Sequence, residues 1–235
     1  MNAQSILDEI RPLGSESYRK TLARHGVTGP CYGVKISDLK KIQKRIKKDY
    51  RLALALYDTG VYDAMYLAGL IADDAKMTRR DLQRWVEHSQ AEAVSASTVP
   101  WVAAGSSHGW EVGREWIDAA KDHVSAAGWT TLGCLVALKP DAELDLAELK
   151  RLLARVQKTI HQSPNCTRYA MNGFVIAVAV YVAPLTALAT RAAEAIGPVT
   201  VDMGDTACEV PFAADYIRKI EQRGAIGKKR RTVKC

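Results

Sequence analysis

Apolar residues recur along the chain at intervals of three and four, the spacing of one face of an α-helix. In ISDLKKIQKRIKK, Leu39, Ile42 and Ile46 fall on one side and the lysines on the other, with Ser37 placed to cap the first turn. LALALYDTG reads as a short helix stopped by Gly60, residues 62–72 as another, and RRDLQRWVEH as a helix capped by Thr78. Positions 110, 113, 117, 120, 124 and 127 form one stripe and predict a long helix over 110–127. Residues 129–138, 146–160, 167–182, 185–196 and 212–222 continue the series. With the N-terminal stretch and one near residues 92–104, the pattern predicts about twelve helices joined by short turns. Strand signals are nearly missing: Phe occurs twice, Val, Ile and Thr scarcely alternate, and no Asn-Gly or Asp-Gly turn is present.

A helix pair every ~40 residues is the period of HEAT and armadillo repeats. The expected fold class is all-α, an α-α superhelix (a HEAT/armadillo-like solenoid) with a concave face. An ordinary compact helical bundle is the alternative, since the repeats share no quotable sequence. No linker rich in Gly, Pro or Ser divides the chain. A single repeat domain is expected over 1–227, followed by a basic tail over 228–235.

The 235 residues are 48% hydrophobic and 25% charged, as in a globular chain able to bury a core without staples. No apolar run approaches the ~20 residues of a membrane span, and MNAQSILDEIRPLGSE lacks the apolar region of a secretory signal. Five scattered cysteines without a CxxC pair point away from a disulfide framework or zinc ribbon. The cytoplasm is the expected location, and no membrane association is expected.

Charge adds a direction. The net charge of +7 and the isoelectric point near 9.1 suit an anionic partner. The excess is clustered: eight basic residues lie between Lys35 and Arg51 against Asp38 and Asp49, and GKKRRTVKC ends the chain. The candidate phosphate contacts are Lys35, Lys40, Lys41, Lys44, Lys47 and Lys48, with Lys228, Lys229, Arg230 and Arg231 in the tail.

No GxSxG, P-loop, HExxH or GxGxxG motif is present, and the five histidines are scattered. Neither a metal nor another cofactor is expected. Trp101, beside Pro100 and before AAGSSHG, is a candidate for stacking on a base; Trp110 lies on an apolar stripe and reads as core. Pro198 and Pro211 bracket a non-helical insert containing Asp202 and Asp205, acids able to bind a cation, orient a basic side chain or cap the following helix. In NCTRYAMNGFVIAVAVYV, Arg168 and Asn172 share a helix face. Asn172 must find hydrogen-bond partners there, which the polar insert could supply.

Together YGVKISDLKKIQKRIKKD, LALALYDTGVYDAMYLAGLIADD, AAGWTTLGCLVAL, NCTRYAMNGFVIAV and VDMGDTACEVPFAADYI resemble, in order and spacing, the DNA alkylation repair family of HEAT-like proteins, the AlkD type and its relatives. The resemblance runs over about residues 7–223. It implies an all-α superhelix holding double-stranded DNA on a concave basic surface, and excision of positively charged alkylpurines as the parent activity. Active members of that type carry a Trp-x-x-x-Asp pair on one helix and an Arg on a following one. A gap-free match places these on Ala93, Ser97 and Ala126, and no carboxylate occurs between Glu92 and Glu111. Serine cannot supply the negative charge that stabilises a sugar cation.

The resemblance therefore implies a DNA-binding relative without the usual glycosylase residues; a monomer is expected. Two alternatives remain at this point. One is an active alkylpurine glycosylase or other hydrolase using Asp202, Asp205, Asn172 and Arg168. The other is a HEAT-type scaffold whose basic face meets an acidic protein.

Overall fold

The computed structural model describes residues 1–89 and 94–234. Among them are thirteen α-helices and no strand beyond one isolated bridge, Gly14 to Val34. The helices are α1 (Ala3–Ile10), α2 (Glu16–Arg24), α3 (Ile36–Ile46), α4 (Tyr50–Tyr57), α5 (Tyr62–Ile71), α6 (Arg79–Glu87), α7 (Val99–Gly105) and α8 (Gly109–Trp116), then α9 (Asp122–Leu138), α10 (Leu146–Thr159), α11 (Asn165–Tyr181), α12 (Thr186–Ile196) and α13 (Ala213–Gln222). They form two compact units. The first contains Met1–His108, Met203–Ala207 and Lys234; the second contains Gly109–Asp202 and Cys208–Val233.

In the first unit α5 is buried over its whole length, against α3 and α4. It carries one acid, Asp63, fully buried, whose carboxylate accepts the amides of Tyr32 at 2.6 Å and Val34 at 2.8 Å. A buried carboxyl is tolerated there because it is hydrogen-bonded, and it fixes the loop leading into α3. Tyr57 of α4 stacks on Trp85 of α6, ring centroids 4.1 Å apart, and donates its hydroxyl proton to the Trp85 carbonyl at 2.5 Å. Gly69 lets α5 approach the turn before α7, since a Cβ there would collide with the Thr98 side chain.

In the second unit α9 packs along both α8 and α11, with Trp129 edge-on to Phe174 at 5.2 Å. The stripe at 110–127 does not make one helix. The chain turns after Trp116 and folds back, so α9 begins at Asp122 and absorbs the helix expected at 129–138. Two glycines make this hairpin possible: a Cβ on Gly128 would lie 2.9 Å from the Gly113 carbonyl. Of the stripe, Gly113, Ile117, Val124 and Ala127 are buried, while Ala120, in the turn, is exposed.

Two smaller differences, and one agreement, follow from local chemistry. The N-terminal stretch contains two helices, capped by Asn2 and Ser15. Ser37 lies inside α3, whose N-cap is Lys35 without a side-chain cap. Thr78 does cap α6, in a reciprocal box with Asp81. Among the described residues no single helix is long and apolar enough to cross a membrane, although α11 and the following segment together meet that composition with a bend of 112°.

Candidate nucleic-acid interface

The basic cluster of the first unit sits on α3 because the helix buries Leu39 and Ile42 and turns every lysine outward. Some of these cations are neutralised locally. Lys41 pairs with Asp38 at 2.8 Å, Arg45 with Glu9 at 2.6 Å, and Lys48 lies 3.7 Å from Asp73. Lys35, Lys40, Lys44 and Lys47 have no carboxylate partner among the described residues. Lys40, Lys44 and Lys47 recur at i, i+4 and i+7 and share one face. Lys47 ends the helix with φ 65°, the one non-glycine positive φ among the described residues, a strained conformation for a side-chain-bearing residue.

The C-terminal cluster is arranged differently. Lys228, Arg230 and Arg231 are exposed, but Lys229 is not. Its ammonium donates to the Val136 carbonyl at 2.8 Å and pairs with Asp141 at 2.7 Å. The Arg230 amide donates to the Ala137 carbonyl at 2.8 Å, and the guanidinium lies 5.8 Å from the centroid of Tyr181. The Gly227 amide donates to the Val180 carbonyl at 2.8 Å. These acceptors lie in the last turns of α9 and α11, whose final carbonyls have no partner within the helix. In the first unit Lys234 donates to the carbonyl of Ala72, at the end of α5, at 3.2 Å, and to Asp74 at 2.7 Å. Burial pushes the Asp74 carboxyl above its ordinary range against the pull of Lys234, and pushes the Lys234 ammonium down.

Of the residues named for the hydrolase alternative, Arg168, Asn172 and Asp202 lie in the second unit and are held by separate partners. The Arg168 guanidinium donates to the carbonyls of Ser163 at 2.9 Å and Thr200 at 2.8 Å. Asn172 is buried and donates to the Pro211 carbonyl at 2.9 Å, at the far end of the insert. Asp202 is exposed and held by its backbone, which exchanges two hydrogen bonds with the Asn165 side chain. Asp205 is exposed and belongs to the first unit. Among the described residues no three His, Cys, Asp or Glu converge as metal ligands.

Trp101 is 8% exposed and meets Tyr66 edge-on at 5.6 Å. Of the positions matched to the glycosylase residues, Ala93 lies outside the described residues and Ala126 is buried. Ser97 lies partly exposed in a π-helical turn, Val94–Thr98. Such turns concentrate at functional sites, yet this one offers a hydroxyl and no carboxylate.

The sequence pattern did not single out α13. It exposes Tyr216, Lys219 and Arg223 at i, i+3 and i+7, while Ala213, Ala214 and Ile217 are buried. That spacing in DYIRKIEQR is the signal that finds them. A network that could be read only from the fold surrounds Asp122. Its carboxylate accepts the amides of Cys166 at 3.0 Å and Thr167 at 2.8 Å and the Thr167 hydroxyl at 2.6 Å, capping α11 from another helix. Burial alone would raise this carboxyl, but those hydrogen bonds outweigh it and hold it below the ordinary range.

These features define an all-α protein of the HEAT-like repeat fold, with a surface helix of unneutralised lysines. The chain belongs to the DNA alkylation repair enzyme family, whose model matches residues 6–187. It superimposes over 100% of both chains, with a TM-score of 0.92 and 33% identity, on a solved structure described as "a new family of proteins related to the HEAT-like repeat DNA glycosylases with affinity for branched DNA structures". It is also 30% identical over 220 residues to the uncharacterized proteins Lin0241 of Listeria innocua and Lmo0209 of Listeria monocytogenes, covering 92% of this chain and 95% of each of theirs.

Proposed function

We propose that the protein binds double-stranded DNA, including branched forms, through phosphate contacts from α3, and does not excise alkylated purines by the family's usual residues. The observation that carries this reading is the row of Lys40, Lys44 and Lys47, exposed wholly or in part and without acidic partners among the described residues, with Lys35 at the N-cap. A row of cations left unpaired on one helix face matches the sequence-independent backbone of DNA. The solved relative's stated affinity for branched DNA structures supports DNA as the ligand. Lys228, Arg230 and Arg231 are exposed and can add contacts; Lys229, already paired, adds little.

The second half of the reading rests on Ser97 and Ala126. A preorganised carboxylate at such a centre commonly contributes roughly 3–4 kcal/mol, so a serine in its place leaves excision slower by two to three orders of magnitude. Monomeric action in the cytoplasm completes the proposal.

The test is a salt titration of DNA binding with the Lys40→Glu, Lys44→Glu, Lys47→Glu triple variant beside the parent. With about five phosphates neutralised, log K falls with log salt at a slope near −4 to −5. The variant should lose affinity for all sequences alike and show a shallower slope. Undiminished affinity would instead favour a scaffold whose partner is an acidic protein.

A further inference from the structure

We infer that α13 carries a second DNA contact, selective for unpaired nucleotides, in which Tyr216 stacks on a base while Lys219 and Arg223 hold the adjoining phosphates. This rests on the reading of the protein as a DNA binder and names the part of the DNA that this surface takes.

Large exposed hydrophobic side chains are few among the described residues. Met1 and Leu13 lie in the N-terminal stretch; the others are Tyr169, 39% exposed on α11, and Tyr216, 45% exposed on α13. The two helices pack together, and Asn172, one turn beyond Tyr169, donates to Pro211 just before α13 begins. Beside Tyr216 on the same face stand Lys219 and Arg223 at helical spacing. Neither has a carboxylate partner among the described residues, whereas Arg218, off that face, is paired with Asp215 at 2.7 Å. An aromatic flanked by unpaired cations at this pitch is the composition of surfaces that track single strands.

Gly173 gives the arrangement its second feature. A glycine inside a helix lowers its stability by about 1 kcal/mol relative to alanine and needs a reason. At Gly69, Gly105, Gly113 and Gly128 the reason is a neighbour that a Cβ would strike. At Gly173 a Cβ would meet nothing within 4 Å, and the position is exposed one turn from Tyr169. The surface of α11 is unobstructed at that point. An unpaired base can stack on an exposed ring, whereas a paired duplex keeps its bases stacked inside. Branched DNA with a flap or a single-stranded arm supplies unpaired nucleotides.

The experiment compares the full chain with its Tyr216→Ala and Tyr169→Ala variants on a short blunt duplex, the same duplex carrying an unpaired flap, and a single-stranded oligonucleotide. Tyr216→Ala should weaken the single-strand and flap complexes by about fivefold to 150-fold and leave the blunt duplex within about twofold. Tyr216→Phe should keep the affinity, because the ring and not the hydroxyl does the stacking. Lys219→Gln with Arg223→Gln should reduce the salt slope on the single strand by about 1–2. Blunt-duplex binding with no effect of Tyr216→Ala on the flap would overturn this inference alone. Equal losses on all three probes would also overturn it, by making α13 a general contact. No DNA binding by the parent chain would overturn it together with the reading it rests on.

Discussion

Helix α3 and the C-terminal segment are both basic as strings of letters, yet the fold uses their charge in opposite ways. On α3 the cations at 40, 44 and 47 stand on the surface without acidic partners. In the tail Lys229 and Lys234 end on helix-terminal carbonyls and carboxylates. The difference lies in what the neighbouring backbone lacks. The last turns of α5, α9 and α11 present carbonyls with no intrahelical partner, and a nearby ammonium satisfies them while opposing the helix dipole. The outward face of α3 offers nothing of the kind. Lys41 and Arg45 find carboxylates there, whereas Lys40, Lys44 and Lys47 have none among the described residues, and it is these three that the proposed DNA contact uses.

The largest effect that would break this comparison is expected at the chain end. Lys234→Met removes one partner of a pair in which each side chain is 16% exposed. Removing one side of a largely buried pair leaves a charge without compensation, so stability should fall by about 3 kcal/mol. Adding Asp74→Leu should restore much of the loss, since replacing both charges removes the desolvation cost as well. Chemical denaturation of the single and double variants checks this. A Lys234→Met protein as stable as the parent would place the tail with α3, as charge held for a partner.

The opposite pole of α11 gives the next effect. Asp122 accepts three hydrogen bonds at that N-terminus, and Asp122→Ala should lower stability by about 2 kcal/mol at neutral pH. The carboxyl titrates lower in the folded chain than in the unfolded one. Its contribution is therefore complete above the unfolded value near ~3.9 and is lost as pH falls through the lower, folded value. The gap between parent and variant, followed by thermal denaturation, should hold from pH 7 to about 5 and narrow below about 4. A gap that widens in acid would mean that the group is not stabilised as an anion.

These sites show why the sequence was legible in some places and not in others. Helix existence was readable because the apolar spacing is a local property, and Thr78 could be assigned as a cap because its partner Asp81 lies three residues on. The break after Trp116 was hidden because the apolar spacing runs through the turn residues Ile117 and Ala120, although Ala120 is exposed in the fold. Trp101 read as a surface ring because of its proline and glycine neighbours, while the core around Tyr66 claims it. Asp122 reads as an acid opening its own helix, yet its acceptor oxygens serve residues 44 and 45 positions further on. No local pattern could have distinguished Lys229 from Lys44, because the difference lies in which carbonyl each reaches.

The smallest expected effect bears most directly on α3. Replacing Lys40, Lys44 and Lys47 with glutamine removes three cations while keeping good helix formers. Two terms then nearly cancel. Relief of the like-charge contact between Lys40 and Lys44 at i, i+4 stabilises the helix by about 0.2–0.5 kcal/mol. Loss of Lys44 from the last turn removes a comparable favourable interaction with the dipole. At Lys47, where the positive φ is disfavoured for lysine and glutamine alike, the exchange is neutral. The triple variant should therefore stay within ~0.5 kcal/mol of the parent in denaturant, while its affinity for DNA falls by at least about tenfold. A loss of stability as large as that of Lys234→Met would mean that these lysines serve the fold, and the contrast between the two basic segments would fail.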